Sequence, residues 1–467
     1  MLTPIKTDPV LRFGVRHRQC LLLFCCQFMM YSVLINMSLA IVPMTDRSKA
    51  NPDFEEFEWD EQTRATILSS FFWGYIVSQI PCGSLITYFG SKYLLLTGCA
   101  SNAILTLITP WCTHWGGSTA LLTIRILQGV FQGALYPSCH SLIANWAPLS
   151  ERSRLSVLVY PGAQIGTVVT LSTGGLIASS SLGWPGIFYI WGTGGLVWCI
   201  VWLFYGANGP SEHKTISVEE RDYILQSRDA HTEKLPTPWK NIFRSPAFYA
   251  LTITHACCSY SFWTITTVTP TYMKGVFGLD IQKNALLSAI PPIAMFVLSH
   301  IFGMLVRLCM DRLKLPLRFI RILFNTVGSE IPAAALIGLG FVTGNHPALA
   351  IFLLTVAYGV SSAIYFGYYV NHMDLCPTHA GILMAVTNSV ATGSGIFSTL
   401  AVGWFVKDET NPQHWQIIFS IGAGLFTLGT FVFAFFGRFE NQNWVTTIKA
   451  SSTQKRIQDS DNFNNEK

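Results

Sequence analysis

The chain has 467 residues, half of them hydrophobic and only 12% charged, with a formal net charge of +5. Soluble domains carry about 25% charged residues. Here the charges cluster and leave long stretches almost free of them, which excludes a string of soluble domains and points to a polytopic membrane protein.

Spanning a bilayer takes about 20 mostly apolar residues. The first apolar run, from Cys20, is too long for a signal-peptide core and lacks a small-residue cleavage site, so it reads as the first span. In chain order, spans are predicted at about 20–42, 66–88, 93–111, 119–146, 155–180 and 186–206, then at about 247–273, 285–308, 319–341, 347–371, 380–406 and 415–437. Pro81, Pro137, Pro161 and Pro332 fall inside these runs and are expected to mark bends. The twelve cysteines lie almost entirely in apolar runs, without metal-ligand spacing, and read as small packing residues.

This gives an all-α integral membrane protein of twelve transmembrane helices in two six-helix bundles. Residues 1–206 form the first bundle, 207–246 a polar linker, 247–437 the second bundle, and 438–467 a polar tail expected to be disordered. The linker is too short for a separate domain. Ser217 to Ser227 has helical spacing, with Val218, Tyr223 and Ile224 on one apolar face.

Lys and Arg set the orientation. Lys6, Arg12, Arg16, Arg18, Lys92, Arg152, Arg154, the linker and the run from Arg307 to Arg321 fall on one side. The other side has fewer: Arg47, Lys49, Arg64, Lys274, Lys283 and Lys407, beside an acidic first loop. Both termini are therefore expected in the cytoplasm, and six plus six spans suggest two halves rocking about a cavity near the midplane.

The stretch RILQGVFQGALYPSCH, Arg125 to His140, places an arginine inside a span. An Arg at the centre of a helix costs about 2.5–3.5 kcal/mol on insertion scales, so it should face a wet cavity or a partner. Gln128, Gln132 and Tyr136 lie within about 60° of its direction, and His140 continues the stripe unless Pro137 bends it away. Gly129 and Gly133, four apart, can admit a close neighbour helix. Arg125 reads either as a structural cation tied to carbonyls or an acid, or as an anion site that binds a carboxylate or phosphate in bidentate fashion; the second reading is preferred. His140 fits a packing role as well as a ligand role.

Glu330 is the other intramembrane charge, and three readings stand: a coupling-cation site or proton carrier, a partner for Arg125, or an acid facing bundle water. Asn371, His372 and Asp374 sit at a helix end and suit a gate or cap. The Ser/Thr/Gly-rich run VTNSVATGSGIFSTL suits close helix packing or a polar cavity wall. Tyr75 and Trp73 read as core aromatics or interface anchors. No nucleotide-binding glycine loop, nucleophile elbow or zinc motif is present, so neither an enzyme nor an ATP-driven motor is expected.

The stretches FFWGYIVSQIPCG, RILQGVFQGALYPSCH, NWAPLSERSRL, GAQIGT, PTYMKGVFG, NHMDLCPTHAGI, WQIIFSIGAG and NQNW occur in that order. At them the chain resembles the anion transporters of solute carrier family 17, within the major facilitator superfamily. The resemblance implies the major facilitator fold and alternating access. It places Arg125 at the family's substrate-binding arginine, Tyr75 and Tyr136 at aromatic cavity positions, and His140 at a nearby histidine. The loop GSLITYFGSK, with Lys92, is similar to a gating motif of the superfamily, with Thr87 where that motif commonly has Asp. Gln128 and Gln132 stand where sialin-like members have glutamates implicated in proton coupling, and Ile35 stands where many members have a first-helix arginine.

These departures disfavour a dicarboxylate substrate and proton coupling through the fourth helix. The resemblance then favours a sodium-coupled inorganic phosphate symporter, with Arg125, Tyr75, Tyr136, Gln128, Gln132 and His140 at the substrate, Glu330 in coupling, and Lys92, Asn371 and Asp374 in gating. A voltage-driven facilitative organic-anion transporter and a non-transporting receptor or scaffold are the alternatives. No cofactor beyond a sodium ion, no nucleic acid, a monomer in the lipid bilayer, and the plasma membrane rather than a vesicle or lysosome complete the expectation.

Overall fold

In a computed structural model, residues 13–45, 51, 53–148, 150–227, 237–277, 281–342, 346–408, 410–442 and 444 are described. The expected outer-side cations Arg47 and Lys49, the N-terminal Lys6 and Arg12, and the tail beyond Trp444 lie outside them. Among the described residues the regular structure is entirely helical, as a bilayer demands of any span that satisfies its own backbone.

Nine stretches among the described residues are long and apolar enough to cross a membrane. One of them, Ser91–Trp146, is 56 residues long and reverses at Gly117, so it supplies two rods. The helices Glu61–Phe89 (α2) and Pro246–Phe277 (α10) bring the rods to twelve. The predicted spans agree with these to within a few residues, because the helices run past the apolar core at both ends.

The first six rods are α1 (Val15–Thr45), α2, the two parts of α3 (Ser91–Gln132), the second continued by α4 (Leu135–Trp146), then α5 (Arg152–Val159) with α6 (Gly162–Ala178), and α7 (Gly183–Tyr205). The last six, after the short α8 (Val218–Gln226) and α9 (Trp239–Ile242), are α10, α11 (Ile281–Asp311), α12 (Leu317–Gly340), α13 (Pro347–Val360) with α14 (Tyr368–Leu375), α15 (Ala380–Phe405) and α16 (Pro412–Phe436). Large apolar side chains such as Trp111, Phe204, Phe352 and Phe435 are exposed on the outer surface, as expected where lipid is the solvent. The end of the bundle that carries the start of α1 and the end of α16 is called here the terminal face.

The α3 reversal is nearly a single residue: Gly117 has φ of 56° and the chain is helical on both sides of it, a conformation for which glycine lacks the Cβ penalty. Pro137 acts earlier than its own position. The hydrogen-bond ladder is interrupted between α3 and α4 at Gly133 and Ala134, which keep right-handed helical dihedrals, because a proline leaves the carbonyl four residues back without its N–H and crowds it. Pro161 likewise separates α5 from α6, whereas Pro81 and Pro332 lie inside continuous helices.

Close helix approach depends on small residues. A Cβ on Gly129 would lie 2.0 Å from the Phe71 carbonyl oxygen, and one on Gly74 would lie 2.1 Å from that of Ile126. These two glycines bring the backbones of α2 and α3 together and so fix where Phe71 and Tyr75 stand relative to Arg125.

The segment between the halves docks on the first half. Its helix α8 (Val218–Gln226) carries Glu220, whose carboxylate accepts from the backbone N–H groups of Val15 (2.9 Å) and Arg16 (3.1 Å) and from Arg16 Nη1 (3.0 Å). It thus caps the N-terminus of α1 from 205 residues away. Arg16 also pairs with Glu151 at 2.8 Å. Burial raises the Glu151 carboxyl pKa, and the Arg16 guanidinium more than offsets this, holding it below the usual carboxylate range. That anchor is therefore intact at neutral pH and is lost only as pH falls through the lowered value. Of the expected apolar face of α8, Ile224 is buried and Tyr223 half-buried, but Val218 is exposed. It stands at the first helical position, directly after the Ser217 cap, and points away from the bundle.

The start of the 438–467 tail is ordered against the terminal face. Gln442 N donates to the Leu375 carbonyl (2.9 Å), the Asn371 side chain donates to the Arg438 carbonyl (2.9 Å), and Trp444 is buried. The expectation of disorder from 438 onward is corrected for these residues, which a buried indole and two hydrogen bonds hold in place.

Replacing Gly129 by Val is expected to destabilise the protein by about 2 kcal/mol or more, since the contacted atom is backbone and cannot move aside. Gly175→Ala, where nothing lies within 4 Å of the new Cβ, should be near neutral. Thermal unfolding in detergent, followed by size-exclusion chromatography, distinguishes the two.

Candidate functional site: a tyrosine-lined cavity between the halves

A cavity of about 150 Å³ lies between the two halves. From the first half its wall takes Tyr31, Ile35, Phe71, Tyr75, Gln132, Tyr136 and Gln164, and from the second His255, Trp263, Tyr358, Tyr365, Tyr369, Asn388 and Thr392, among others. No carboxylate, guanidinium or ammonium group is among the described lining residues. The wall is aromatic with polar tips, a lining that can hold a solute with an apolar body and a few hydrogen-bonding atoms.

The polar tips are tied in pairs. Tyr31 and Tyr136 share a hydrogen bond of 2.6 Å, and Gln164 donates to the Tyr365 hydroxyl at 3.0 Å. Asn388 donates to Gln79 Oε1 (2.6 Å) and to the Tyr75 hydroxyl (3.1 Å), linking α15 to α2 across the seam.

Arg125 is buried behind this wall. Its guanidinium sits 4.9 Å from the centroid of the Phe71 ring, and Phe71 lines the cavity while Arg125 does not. Nη1 donates to Gln128 Oε1 at 3.1 Å, and the buried Nε has no hydrogen-bond partner. No acid among the described residues pairs with it, and Glu330 is not its partner. Gln128 passes the contact on by donating to Thr106 (3.0 Å). Gln132 accepts from Asn102 (2.7 Å) and donates to the Met30 carbonyl (3.1 Å).

The sequence-derived residues thus divide. Tyr75, Tyr136 and Gln132 reach the cavity, while Arg125 and Gln128 stand one layer out. His140 continues the stripe one turn past Tyr136, packing on the same Tyr160 and Tyr369 rings beneath the cavity. Glu330 is away from it, accepting from Thr427 Oγ1 at 3.0 Å at the contact of α12 with α16. Lys92 donates to the Leu203 carbonyl within the first half and is not at the seam.

On the terminal side the cavity is plugged. Tyr136, Tyr160, Tyr365 and Tyr369 pack ring to ring with centroids within 6.4 Å in successive pairs, stacked for Tyr136–Tyr160 and Tyr160–Tyr365 and edge-on for Tyr160–Tyr369 and Tyr365–Tyr369. Beyond them Asp374 accepts from Arg321 at 2.8 and 3.3 Å and lies 3.6 Å from Arg152 of the first half. All three side chains are nearly fully buried, and Arg152 also donates to the Met373 carbonyl (3.1 Å). The geometry is a latch: one carboxylate is held in bidentate fashion by its own half and reached across the seam by the other.

Sequence reasoning did not single out Phe71, His255, Gln164 or Asn388, nor Arg152 and Arg321 as the partners of Asp374. Asn388 and Thr392 belong to the Ser/Thr/Gly-rich run, whose polar-wall reading the structure supports. For His255 the available signal was a histidine inside an apolar span.

The sequence profile of the Major Facilitator Superfamily matches residues 20–399. Among curated relatives, a Drosophila melanogaster protein named for inorganic phosphate cotransport is 34% identical over 94% of this chain and 88% of its own length. Human sialin is 33% identical over 92% and 91%, and human vesicular glutamate transporter 2 is 32% identical over 92% and 74%. Among solved structures, the transporter FucP in an outward conformation aligns with a TM-score of 0.67 at 12% identity, covering 91% of this chain and 100% of its own. The proton:xylose symporter XylE aligns with 0.66 at 15%, covering 93% and 98%.

Asp374→Asn removes the charge that two buried arginines share, a change that typically costs about 3–5 kcal/mol. The latch should loosen, and Cys376, buried two residues away, should react with a membrane-impermeant thiol reagent about tenfold faster or more, read by peptide mass spectrometry.

Proposed function

The chain belongs to the Major Facilitator Superfamily, in its solute carrier family 17 anion-transporter branch, and on that premise we propose that it carries a small anion by alternating access of its two halves, with inorganic phosphate as substrate and sodium as the coupling ion. The observation that carries the anion reading is Arg125: a buried guanidinium with an orphan Nε and, among the described residues, no acid paired with it, one aromatic ring from the central cavity. A buried cation without a counter-charge costs several kcal/mol, and an anion that reaches it recovers much of that cost. A single such cation suits phosphate or a monocarboxylate better than a dicarboxylate. The name of the Drosophila melanogaster relative supports phosphate, and the sodium step is carried from the sequence resemblance.

A second reading, a voltage-driven organic-anion transporter, is favoured by the lining itself, where Tyr, Phe and Trp rings outnumber the hydrogen-bonding amides. The relatives are transporters rather than enzymes. The basic residues Arg16, Arg18, Lys92, Arg152 and Arg154 gather near the terminal face, which supports placing both termini in the cytoplasm. We place the protein as a monomer in the plasma membrane, in keeping with the phosphate branch, and localisation of a tagged protein tests that against a vesicle or lysosome.

Radiolabelled phosphate uptake into proteoliposomes is expected to rise with an inward sodium gradient. Uptake that ignores sodium and follows voltage rejects the sodium step and supports the second reading. Arg125→Gln should cut uptake of either substrate about 30-fold or more, as loss of a buried charged contact does. A fully active variant contradicts both readings.

A further inference from the structure

Three histidines from three helices meet at the floor of the cavity. His140 on α4 and His372 on α14 have ring centroids 5.4 Å apart, and His255 on α10 lies 5.7 Å from His372. His140 belongs to the first half and the other two to the second, so the cluster bridges the seam. Of the three, only His255 lines the cavity.

Hydrogen-bond partners assign the protons. A backbone carbonyl can only accept, so His372 Nδ1, 2.9 Å from the Tyr369 oxygen, carries a hydrogen, and so does His140 Nε2, 3.3 Å from the same oxygen. The Tyr160 hydroxyl, 2.8 Å from His140 Nδ1, donates to it. In a neutral His372 ring Nε2 is then an acceptor and takes the single Thr387 hydroxyl hydrogen at 2.7 Å, a much shorter contact than that hydroxyl's other acceptor, the Met384 carbonyl at 3.4 Å. Thr387 Oγ1 is left to accept from His255 Nδ1 at 3.0 Å. With all three rings neutral, every nitrogen is used except one. His255 Nε2 keeps a basic lone pair to which no described residue donates, on a ring that faces the cavity.

We propose that His255 is the anion-contacting residue of the second half, and that its Nε2 takes up one proton together with the transported anion. The proposal rests on the anion-transport reading and adds a proton to whatever sodium step exists. The balance is simple. A proton from the water on one side forms the Nε2–H bond, the imidazolium and the anion cross together, and the proton returns to water on the other side. Adding a hydrogen at Nε2 breaks none of the existing bonds, because Nδ1 goes on donating to Thr387.

The surroundings make the two binding events depend on each other. The groups that face His255 are Tyr368 (ring centroids 5.1 Å), Tyr369 (5.7 Å) and His372 on α14, with Thr387 on α15 and His140 on α4 of the first half. None of these carries a negative charge. Asp374, farther along α14, is already bound by Arg321 and Arg152. Without an anion, an imidazolium here has no counter-charge. With an anion in the cavity it gains one, so each ligand raises the affinity for the other. Gln128 and Gln132 cannot carry a proton, and His255 supplies the missing carrier on the opposite wall.

The test uses the full chain in proteoliposomes loaded with a pH-reporting dye, with radiolabelled inorganic phosphate and a radiolabelled monocarboxylate whose free acid is too polar to cross lipid, gluconate, as probes. The wild-type protein is expected to take up anion about fivefold faster at an external pH near 5.5 than near 7.5, with the lumen acidifying as anion enters. In His255→Gln, anion exchange between labelled and unlabelled pools should persist, the pH slope should shrink to the part due to the protonation of the probe itself, and proton entry should vanish. A His255→Gln protein with an unchanged slope and unchanged proton entry overturns the proposal, as does wild-type uptake with no proton movement. If neither probe is transported at all, the anion reading fails first. The histidine is then read directly by long-range proton–nitrogen NMR of the purified protein, assigned with Thr387→Val as a second perturbation should His255→Gln not fold. A His255 Nε2 signal that titrates, and whose midpoint rises by about half a unit or more when phosphate is added, supports the proposal. A signal indifferent to pH and phosphate overturns it.

Discussion

The arrangement depends on one unbalanced charge. Arg125 lies among packed helices with a glutamine, a phenylalanine ring and an orphan Nε for company, and no carboxylate among the described residues pairs with it. Elsewhere the protein pairs its buried arginines with acids: Arg16 with Glu151 and Glu220, and Arg321 and Arg152 with Asp374. The contrast shows that this chain can supply counter-charges where a cation is structural. At Arg125 it supplies none, and an incoming anion is the counter-charge that fits.

Around that charge the two halves are built for contact that can be remade. Within the first half, glycines bring α2 and α3 to backbone contact, so Phe71 and Tyr75 are carried rigidly with Arg125. Between the halves the links are of another kind: amide to hydroxyl at Asn388 and Tyr75, ring to ring at Tyr160 and Tyr369, and one carboxylate shared by arginines of both halves at the terminal face. Each can break and find water, which packed backbone cannot. Rigid halves with a polar, aromatic seam are what alternating access requires.

Much of the fold was legible because lipid imposes a strong rule: spans must be long, apolar and helical. The details that escaped are those in which one residue acts on another. His140 follows Tyr136 onto the same rings, Tyr160 and Tyr369, but at a depth where it touches the floor rather than the cavity, which the period alone does not set. Val218 follows a helical period yet occupies a first turn that faces away from the bundle. The site was legible in part. Arg125 announces itself as a charge inside a span, but whether its neighbour is an acid or a phenylalanine depends on helices brought together only in the folded bundle. Depth along a helix could be counted for Glu330, but its rotational phase about the bundle axis could not, and the structure turns it toward Thr427 rather than the cavity. His255, His372 and His140 are spread over 232 residues of sequence and become a cluster only through Thr387 and the Tyr369 carbonyl.

The most direct measurement of the central claim is the anion-dependent stability of the purified protein. Melting temperature in detergent, recorded against increasing phosphate and against a panel of monocarboxylates at constant ionic strength, should rise for the wild type with at least one anion and stay flat for Arg125→Gln. Equal stabilisation of both proteins by the same anion would show that the guanidinium is not where the anion binds, and would contradict the account.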